Sequence, residues 1–219
     1  MHNTVQNLIE ITDEIKLNLR DSNIVNLPKI IAVSKTFKID KILPLIDYGH
    51  IDFGENKIQE AVDKWTEIKS KNKNIKLHMI GKLQTNKVKF AVKLFDYIHS
   101  VDSQKIAKKI AQEQLKLDKR VKIFLQVNIG DESQKSGIKK NDLDKLVYYC
   151  KEIKLDLIGL MCIPPANIDP EYYFKEMQQL NKNYGFKELS MGMSSDYIQA
   201  AKNLSTYLRI GSSIFGQRF

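Results

Sequence analysis

The sequence predicts an α/β fold, a single (β/α)8 TIM-type barrel domain over residues 1–219 with an extra N-terminal helix. Eight short apolar segments rich in β-branched residues alternate along the chain with amphipathic segments of helical period. Strict alternation of strand and helix is typical of a parallel sheet, and eight such units close naturally into a barrel. An open doubly wound sheet is the alternative. A length of 219 residues suits one large domain or two very small ones.

The strands are predicted from apolar runs that end at glycine, proline or polar residues. The first strand follows Pro28, the fifth has the clearest strand pattern, and Pro164-Pro165 closes the sixth. In chain order, the predicted strands are 29–37, 51–54, 76–81, 97–101, 121–129, 155–163, 188–193 and 207–215.

The helices are predicted from apolar residues at steps of three and four. Gly49 is expected to end the second helix, and Ser103 is the expected N-cap of a later one. Because no helix is predicted between the eighth strand and Phe219, the N-terminal helix is expected to take that place on the barrel. Its apolar stripe comprises Val5, Leu8, Ile9, Thr12, Ile15 and Leu19. The helices that follow are predicted at 39–48, 56–70, 84–93, 103–117, 141–152, 170–184 and 195–204.

The charge and the cysteine count exclude several classes of protein. The formal net charge is +9, but the lysines are spread along the chain among acidic residues, which indicates a solvated surface and no specific nucleic-acid partner. No apolar run reaches membrane-spanning length, and residues 1–20 lack the apolar core of a secretory signal. Cys150 and Cys162 form neither a disulfide framework nor a metal-ligand cluster. We therefore expect a cytoplasmic protein with no membrane association and no metal site.

One strand end carries a candidate nucleophile. The apolar run 30–33 is followed by Ser34-Lys35-Thr36, so the strand ends near an amine. Burial disfavours an ammonium, and a deprotonated lysine reacts with aldehydes to form a Schiff base. Taken alone, this segment favours the simpler interpretation, in which Lys35 is a solvent-exposed lysine at the end of a strand, because most lysines are exposed.

The last two strand ends indicate a phosphate site. In barrels, the loops after strands seven and eight often bind phosphate. Ser194 offers a hydroxyl before a predicted helix, and Gly211 and Ser212 allow backbone N–H groups to approach a ligand closely. Singly, these residues could be an N-cap and a turn. Together with Lys35, they describe a ligand that has an aldehyde at one end and a phosphate at the other, and pyridoxal 5′-phosphate (PLP) is such a molecule.

The chain resembles the pyridoxal phosphate homeostasis proteins, which share the barrel of the N-terminal domain of bacterial alanine racemase. The resemblance covers residues 30–218, and we see no departure from the family at the cofactor positions. It is carried by Ala32-Val33-Ser34-Lys35-Thr36, Phe53-Gly54-Glu55-Asn56 with Gln59-Glu60, His78-Met79-Ile80-Gly81-Lys82-Leu83-Gln84-Thr85-Asn86-Lys87, Val127-Asn128, Lys135-Ser136-Gly137, Gly159-Leu160-Met161, Leu189-Ser190-Met191-Gly192-Met193-Ser194 with Asp196, Arg209-Ile210-Gly211, and Ile214-Phe215-Gly216-Gln217-Arg218.

The resemblance implies roles for six residues. Lys35 would hold PLP as an internal aldimine, and Arg209 would lie beside the pyridine nitrogen. Because an arginine stays charged and only donates, that nitrogen would stay unprotonated and the cofactor would be a poor electron sink. Taken alone, Arg209 could also form a surface ion pair. The remaining cofactor-binding residues implied are Asn56 near the ring and Ser194, Gly211 and Ser212 at the phosphate.

These expectations favour a PLP carrier over an enzyme. The second domain that supplies a catalytic tyrosine in alanine racemase is not seen in this sequence, and His78 is expected to pack inside the barrel rather than act in catalysis. We expect a monomer that serves PLP homeostasis, possible delivery to PLP-dependent apoenzymes, and no catalytic residue. The alternatives are a small PLP-dependent amino-acid racemase or lyase, an aldolase-type barrel that binds a sugar phosphate, and a nucleic-acid-binding protein.

Overall fold

The computed structural model describes residues 2–22, 24 and 26–217. Eight parallel strands follow one another around a closed barrel in chain order, and β1 pairs with both β2 and β8. The predicted barrel is therefore confirmed. The strands are β1 (Lys29–Val33), β2 (Asp52–Glu55), β3 (Lys76–Met79), β4 (Tyr97–Val101), β5 (Lys122–Val127), β6 (Asp156–Cys162), β7 (Glu188–Ser190) and β8 (Tyr207–Ile210).

Nine α-helices are present among the described residues, and most of them connect consecutive strands. Short 3-10 turns at Thr85–Lys87 and Lys140–Asp142 lead into the fourth and sixth helices. The helices are α1 (Asn3–Leu19), α2 (Ile39–Asp47), α3 (Ile58–Lys71), α4 (Val88–Leu94), α5 (Gln104–Leu117), α6 (Leu143–Glu152), α7 (Glu171–Asn183), α8 (Tyr197–Lys202) and α9 (Ser212–Phe215).

The N-terminal helix packs where the sequence predicted. Helix α1 contacts both α8 and α2, so it closes the ring of helices around the barrel. Its buried face includes Ile11, whereas Ile9 and Thr12 of the predicted stripe are only half-buried. The apolar side of this helix is therefore rotated slightly from the predicted one, toward the steps that place Leu8, Ile11 and Ile15 in one row.

The end of the chain departs from the prediction. The predicted eighth strand, 207–215, ends at Ile210, and α9 follows it, so the expectation that no helix comes after the last strand is wrong. The N–H of Phe215 bonds to the carbonyl of Gly211, as in one helical turn. An apolar pair such as Ile214-Phe215 suits either a strand or a helix, and a short run does not distinguish them. Arg218, the last residue of the resemblance, lies outside the described residues.

Other boundaries differ by a few residues. Strand β1 ends at Val33 rather than at residue 37, so Lys35 lies just beyond the strand. The predicted helix 195–204 is the shorter α8, and its N-cap is Asp196. Ser103 is the N-cap of α5 as predicted, although its side chain makes no capping hydrogen bond.

Two apolar cores stabilise the barrel. The larger core lies between the strands and the helices and includes Trp65 and Phe174. The smaller core combines residues that alternate with those of the larger core along the strands, which places it inside the barrel. It includes Tyr97, Phe124 and Tyr207, whose rings surround buried histidines. In the described part of the chain, no helix is long and apolar enough to cross a membrane.

Candidate functional site

The six predicted site residues surround one cavity at the carboxyl ends of the strands. The cavity has a volume of about 640 Å³, which is within the usual size of a small-molecule site. The chain reaches it from β1, β2, β7 and β8, so residues far apart in sequence meet there. The predicted residues along its wall are Lys35, Asn56, Ser194, Arg209, Gly211 and Ser212.

The segment that carries Lys35 is fixed from both sides. Ser34 is buried, and its hydroxyl donates to Oε1 of Glu55 over 2.7 Å. The Nζ of Lys64 donates to the carbonyl oxygen of Ser34 over 2.8 Å. On the other side, the N–H of Thr36 donates to Oε1 of Glu60, and Thr36 itself has a positive φ of 68°. These contacts hold the backbone around Lys35 in a turn that a β-branched residue seldom adopts.

Three charged side chains make these contacts: the buried Glu55, Lys64 and the half-buried Glu60. Lys64 bridges Glu55 and Glu60, with both Nζ–O distances at 2.9 Å, and Trp65 donates its indole N–H to Glu55. Burial acts to raise the pKa of Glu60, but hydrogen bonds from Lys64 and from the N–H of Thr36 outweigh it and lower that pKa below its ordinary value. Sequence reasoning noticed the Glu55 motif but missed this cluster, because Lys64 looks like an ordinary lysine on the outside of a helix.

Asn56 faces the cavity with an unused acceptor. Its Oδ1 is buried and has no hydrogen-bond partner among the described residues. The backbone of Asn56 is approached closely by Gly81, where an added Cβ would lie 2.2 Å from the Asn56 carbonyl oxygen. Only glycine fits there, so the loop after β3 is tied to the end of β2. A buried amide oxygen without a donor favours a ligand that donates to it.

The loops after β7 and β8 meet at Ser194. Its Oγ accepts the backbone N–H of Gly211 over 3.3 Å and that of Ser213 over 3.4 Å. Ser213 is not among the predicted site residues, although it directly follows Ser212. The helix predicted to start at Ser195 is α8, which begins two residues later, at Tyr197. The N–H groups that reach Ser194 come from the start of α9, and such groups suit an oxygen-rich anion.

Arg209 is a buried residue and not a surface ion pair. Its guanidinium donates to Oγ of Ser190 over 2.7 Å and to the carbonyl oxygen of Cys162 over 2.8 Å. Burial lowers the pKa of Arg209, while Cys162 and Asp196 act in the opposite direction. An arginine nevertheless stays charged, so the cavity contains a fixed donor with positive charge on β8, the strand that pairs with β1.

His78 lies inside the barrel, as predicted. Its ring stacks on Tyr97 with the centroids 4.3 Å apart, and it hydrogen-bonds to Asp52 and to His99. It is not among the residues that line the cavity. In the described part of the chain, no group of three or more histidine, cysteine or acidic side chains could hold a metal ion.

Several lining residues were not predicted as part of the site. Lys82, Gln126, Lys135 and Ser136 all contribute to the wall. Gln126 was detectable, because it alternates with Leu125 along β5 and shares the inward face of Phe124. The loop that carries Lys135 and Ser136 returns to β5 at Gly137, where φ is 125° and an added Cβ would lie 2.5 Å from the backbone nitrogen of Asn128. That turn requires glycine.

The chain is similar in sequence to one group of proteins. The family model described as "Alanine racemase, N-terminal domain" matches residues 12–218. The pyridoxal phosphate homeostasis protein of Haemophilus influenzae is 36% identical over 204 residues, which cover 88% of this chain and 86% of that relative. The protein of the same name from Escherichia coli strain K12 is 33% identical over 231 residues, covering 100% of this chain and 98% of that relative.

Solved structures show the same barrel. PipY of Synechococcus elongatus PCC7942, solved with PLP bound, superposes with a TM-score of 0.79 at 33% identity and covers 93% of this chain and 99% of that chain. Alanine racemase of Clostridium difficile 630 superposes with a TM-score of 0.74 at 16% identity, over 99% of this chain and 57% of that chain. The second likeness is one of fold alone.

Proposed function

We propose, from the premise that this chain belongs to the pyridoxal phosphate homeostasis protein family, that it binds pyridoxal 5′-phosphate at the cavity and takes part in PLP homeostasis without catalytic turnover. The observation that carries the proposal is the meeting of Lys35, Arg209 and the Ser194 loop around one cavity. An amine, a fixed cation and a cluster of N–H donors match the aldehyde, the ring nitrogen and the phosphate of PLP. The relatives bear the same name, and PipY has been solved with PLP.

Different residues of the cavity are proposed to bind different parts of PLP. PLP would supply an aldehyde carbon, and the amine of Lys35 would hold it at that end. The hydroxyl of Ser194 and the backbone N–H groups of Gly211 and Ser212 would bind the phosphate. Arg209 would donate to the pyridine nitrogen, and the unpaired oxygen of Asn56 would lie near the ring.

The residue types that line the cavity favour binding of PLP over catalytic turnover. Among the described residues that line it, none is histidine, tyrosine, cysteine, aspartate or glutamate. Racemisation and elimination need groups that take and return protons at the substrate carbon. Arg209 would also keep the ring nitrogen of PLP unprotonated, which would weaken the cofactor as an electron sink.

Two lysines make a racemase or lyase the second candidate. Lys82 and Lys135 both line the cavity, and an amine could serve as a second acid–base group. Lys135 is held by an ion pair with Glu132, with a 2.6 Å separation, and by the carbonyl of Pro164. These contacts favour a lysine that orders the loop rather than one that exchanges protons.

Absorbance and exchange measurements test the proposal. Titration of the protein with PLP is expected to give the absorbance band of an imine, and borohydride followed by peptide mapping should place the label on Lys35. Incubation with amino acids in heavy water should then show no exchange at Cα above that of free PLP. Absence of the band would refute PLP binding, whereas rapid exchange would establish the enzyme instead.

The broader expectations belong to the same proposal. We propose that residues 1–219 form one PLP-binding domain and that the protein works in the cytoplasm as a monomer. Its partners would be PLP and PLP-dependent apoenzymes, with no specific nucleic acid and no membrane. The spread of the lysines among acidic residues supports the absence of a nucleic-acid site, and salt-dependent binding to DNA or RNA would contradict it.

A further inference from the structure

A hydrogen-bonded row of side chains crosses the interior of the barrel. Arg209 contacts Oγ of Ser190 at 2.7 Å, and that oxygen lies 2.9 Å from Nδ1 of His99. Nε2 of His99 lies 3.0 Å from Nδ1 of His78, and Nε2 of His78 lies 2.9 Å from Oδ1 of Asp52. The row therefore joins the cavity to the opposite mouth of the barrel, where β2 begins with Asp52.

The members of the row are almost completely shielded from solvent. Ser190, His78 and His99 are fully buried, and Arg209 is 4% exposed. The most exposed member is Asp52, whose side chain is 13% exposed. Polar groups at such depth are strongly destabilising unless each has a partner, so the row must be satisfied as a whole.

The two ends of the row determine the direction of every hydrogen bond in it. A guanidinium can only donate and a carboxylate can only accept. Because Asp52 accepts, His78 must carry its proton on Nε2, which leaves its Nδ1 to accept from Nε2–H of His99. Nδ1 of His99 is then an acceptor, so Ser190 donates to it while accepting from Arg209.

We propose that this row is a polarised hydrogen-bond chain that runs across the barrel from the Arg209 guanidinium to the Asp52 carboxylate and orients the guanidinium. Asp52, His78, His99 and Ser190 are thus positioning residues that act on the cavity through Arg209. The direction of the chain is independent of any ligand, whereas its effect on the cofactor rests on the proposed function.

Neutral histidines are essential to this arrangement. An imidazolium donates from both nitrogens, so it could not accept from the next member. Burial lowers the pKa of His78, although Asp52 acts in the opposite direction, and it lowers the pKa of His99, where the charge of Arg209 adds to the effect. The other titratable or charged groups that face the pair are Tyr97, Tyr207, Lys29, His50 and Asp96.

Nitrogen-15 NMR of the histidine rings in the ligand-free protein tests the direction of the chain. At neutral pH, His78 and His99 should both be neutral and protonated on Nε2. A proton on Nδ1 of either ring, or an imidazolium, would overturn the proposal.

Asp52→Asn tests the coupling along the chain. An asparagine can present either its oxygen or its amide N–H to His78, so the direction is no longer imposed. A mixture of tautomers should then appear at His99, although Asp52 does not touch it. Asp13→Asn, which removes an exposed carboxylate at the same mouth, should leave the tautomer unchanged. A single Nε2–H tautomer at His99 in the Asp52→Asn variant would refute the coupling.

Ser190→Ala tests the effect on the cavity. Loss of the hydroxyl should weaken PLP binding about tenfold, the usual size for one hydrogen bond to a charged group, and shift the absorbance of the bound cofactor. Ser205→Ala is the matched control, because Ser205 is also buried but bonds only to backbone groups, the N–H of Met191 and the carbonyl oxygens of residues 189, 191 and 207. Equal binding and spectra in the two variants would contradict the positioning role. If the parent protein itself failed to bind PLP, the proposed function would be refuted. The tautomers of His78 and His99 would still test the direction of the hydrogen-bond chain.

Discussion

The Nζ of Lys64 lies 2.9 Å from Oε1 of Glu55, and both side chains are nearly shielded from solvent, with 10% and 0% exposure. The same amine donates to the carbonyl of Ser34, the residue before Lys35. A buried ion pair therefore also anchors the backbone that carries the proposed nucleophile. Such a pair adds little net stability, but removal of one partner leaves an uncompensated buried charge.

Lys64→Met is expected to destabilise the protein strongly. Glu55 and Glu60 would lose their shared cation, and a buried carboxylate without its partner typically costs about 3–5 kcal/mol in the free energy of unfolding. Chemical denaturation would measure the loss. Lys71→Met on the same helix is the control, because the pair between Lys71 and Glu67 is exposed and its removal should leave the midpoint unchanged. Similar midpoints for the two variants would mean that the cluster is not structural.

Lys35→Ala should abolish the imine band of bound PLP while the barrel stays folded. Lys35 lies beyond the end of β1, and its removal deletes no strand residue. Circular dichroism would report the fold, and absorbance after PLP addition would report the imine. Lys41→Ala, an exposed lysine of α2, should keep the band. A pyridoxyl label on another lysine of the parent chain after borohydride would place the nucleophile elsewhere.

Ser194→Ala and Gly211→Val should both weaken PLP binding. Loss of the Ser194 hydroxyl is expected to cost about 1–2 kcal/mol of affinity, a typical value for a hydrogen bond to a charged group. A Cβ at Gly211 would lie 3.4 Å from Val33, an ordinary contact, so the fold should accept it. The branches of a valine would crowd the phosphate and should cost more. Equilibrium binding of both variants at the parent level would move the phosphate site away from these loops.

The sequence carried enough information for the barrel and for the location of the site, but not for the contacts that hold the site. Alternating apolar runs are a local signal, and the ends of parallel strands must meet, so Lys35 and Arg209 could be brought together without coordinates. The Lys64 cluster and the row from Arg209 to Asp52 depend on side chains that approach from different elements. No local pattern distinguishes Lys64 from the solvated lysines of the same helix.

Arg209→Glu is expected to shift the spectrum of bound PLP toward that of a protonated pyridine. A carboxylate can share a proton with the ring nitrogen, whereas a guanidinium cannot accept one. The variant should also raise slow exchange of amino-acid Cα protons, because a protonated ring is a better electron sink. Arg209→Gln is the matched control, since it removes the charge but supplies no carboxylate. An unchanged spectrum with PLP fully bound in Arg209→Glu would remove this residue from the surroundings of the ring.

Two buried histidines, His78 and His99, and the half-buried His50 should make the ligand-free protein less stable in mild acid. Burial lowers the pKa of His50, His78 and His99 from the ordinary value of 6.5, and the backbone and carboxylate contacts of His50 and His78 offset this only in part. Above pH 6.5 these rings are neutral in both the folded and the unfolded chain, so their contribution to stability is fully present. As the pH falls below 6.5, the unfolded chain binds protons first, and the folded state loses stability until its own lowered pKa values are reached.

The size of this acid effect can be measured and divided among the rings. Between about pH 5 and 6.5, each ring that stays neutral only in the folded state should lower the free energy of unfolding by up to about 1.4 kcal/mol per pH unit. His50→Gln keeps an N–H donor for the carbonyl of Asp52, which the ring of His50 contacts at 2.9 Å, and removes one titrating group. Urea denaturation across this range should therefore show a shallower pH dependence for His50→Gln than for the parent chain. A free energy of unfolding independent of pH in this window would mean that the histidines are not held neutral, and it would also argue against the hydrogen-bond direction inferred for His78 and His99.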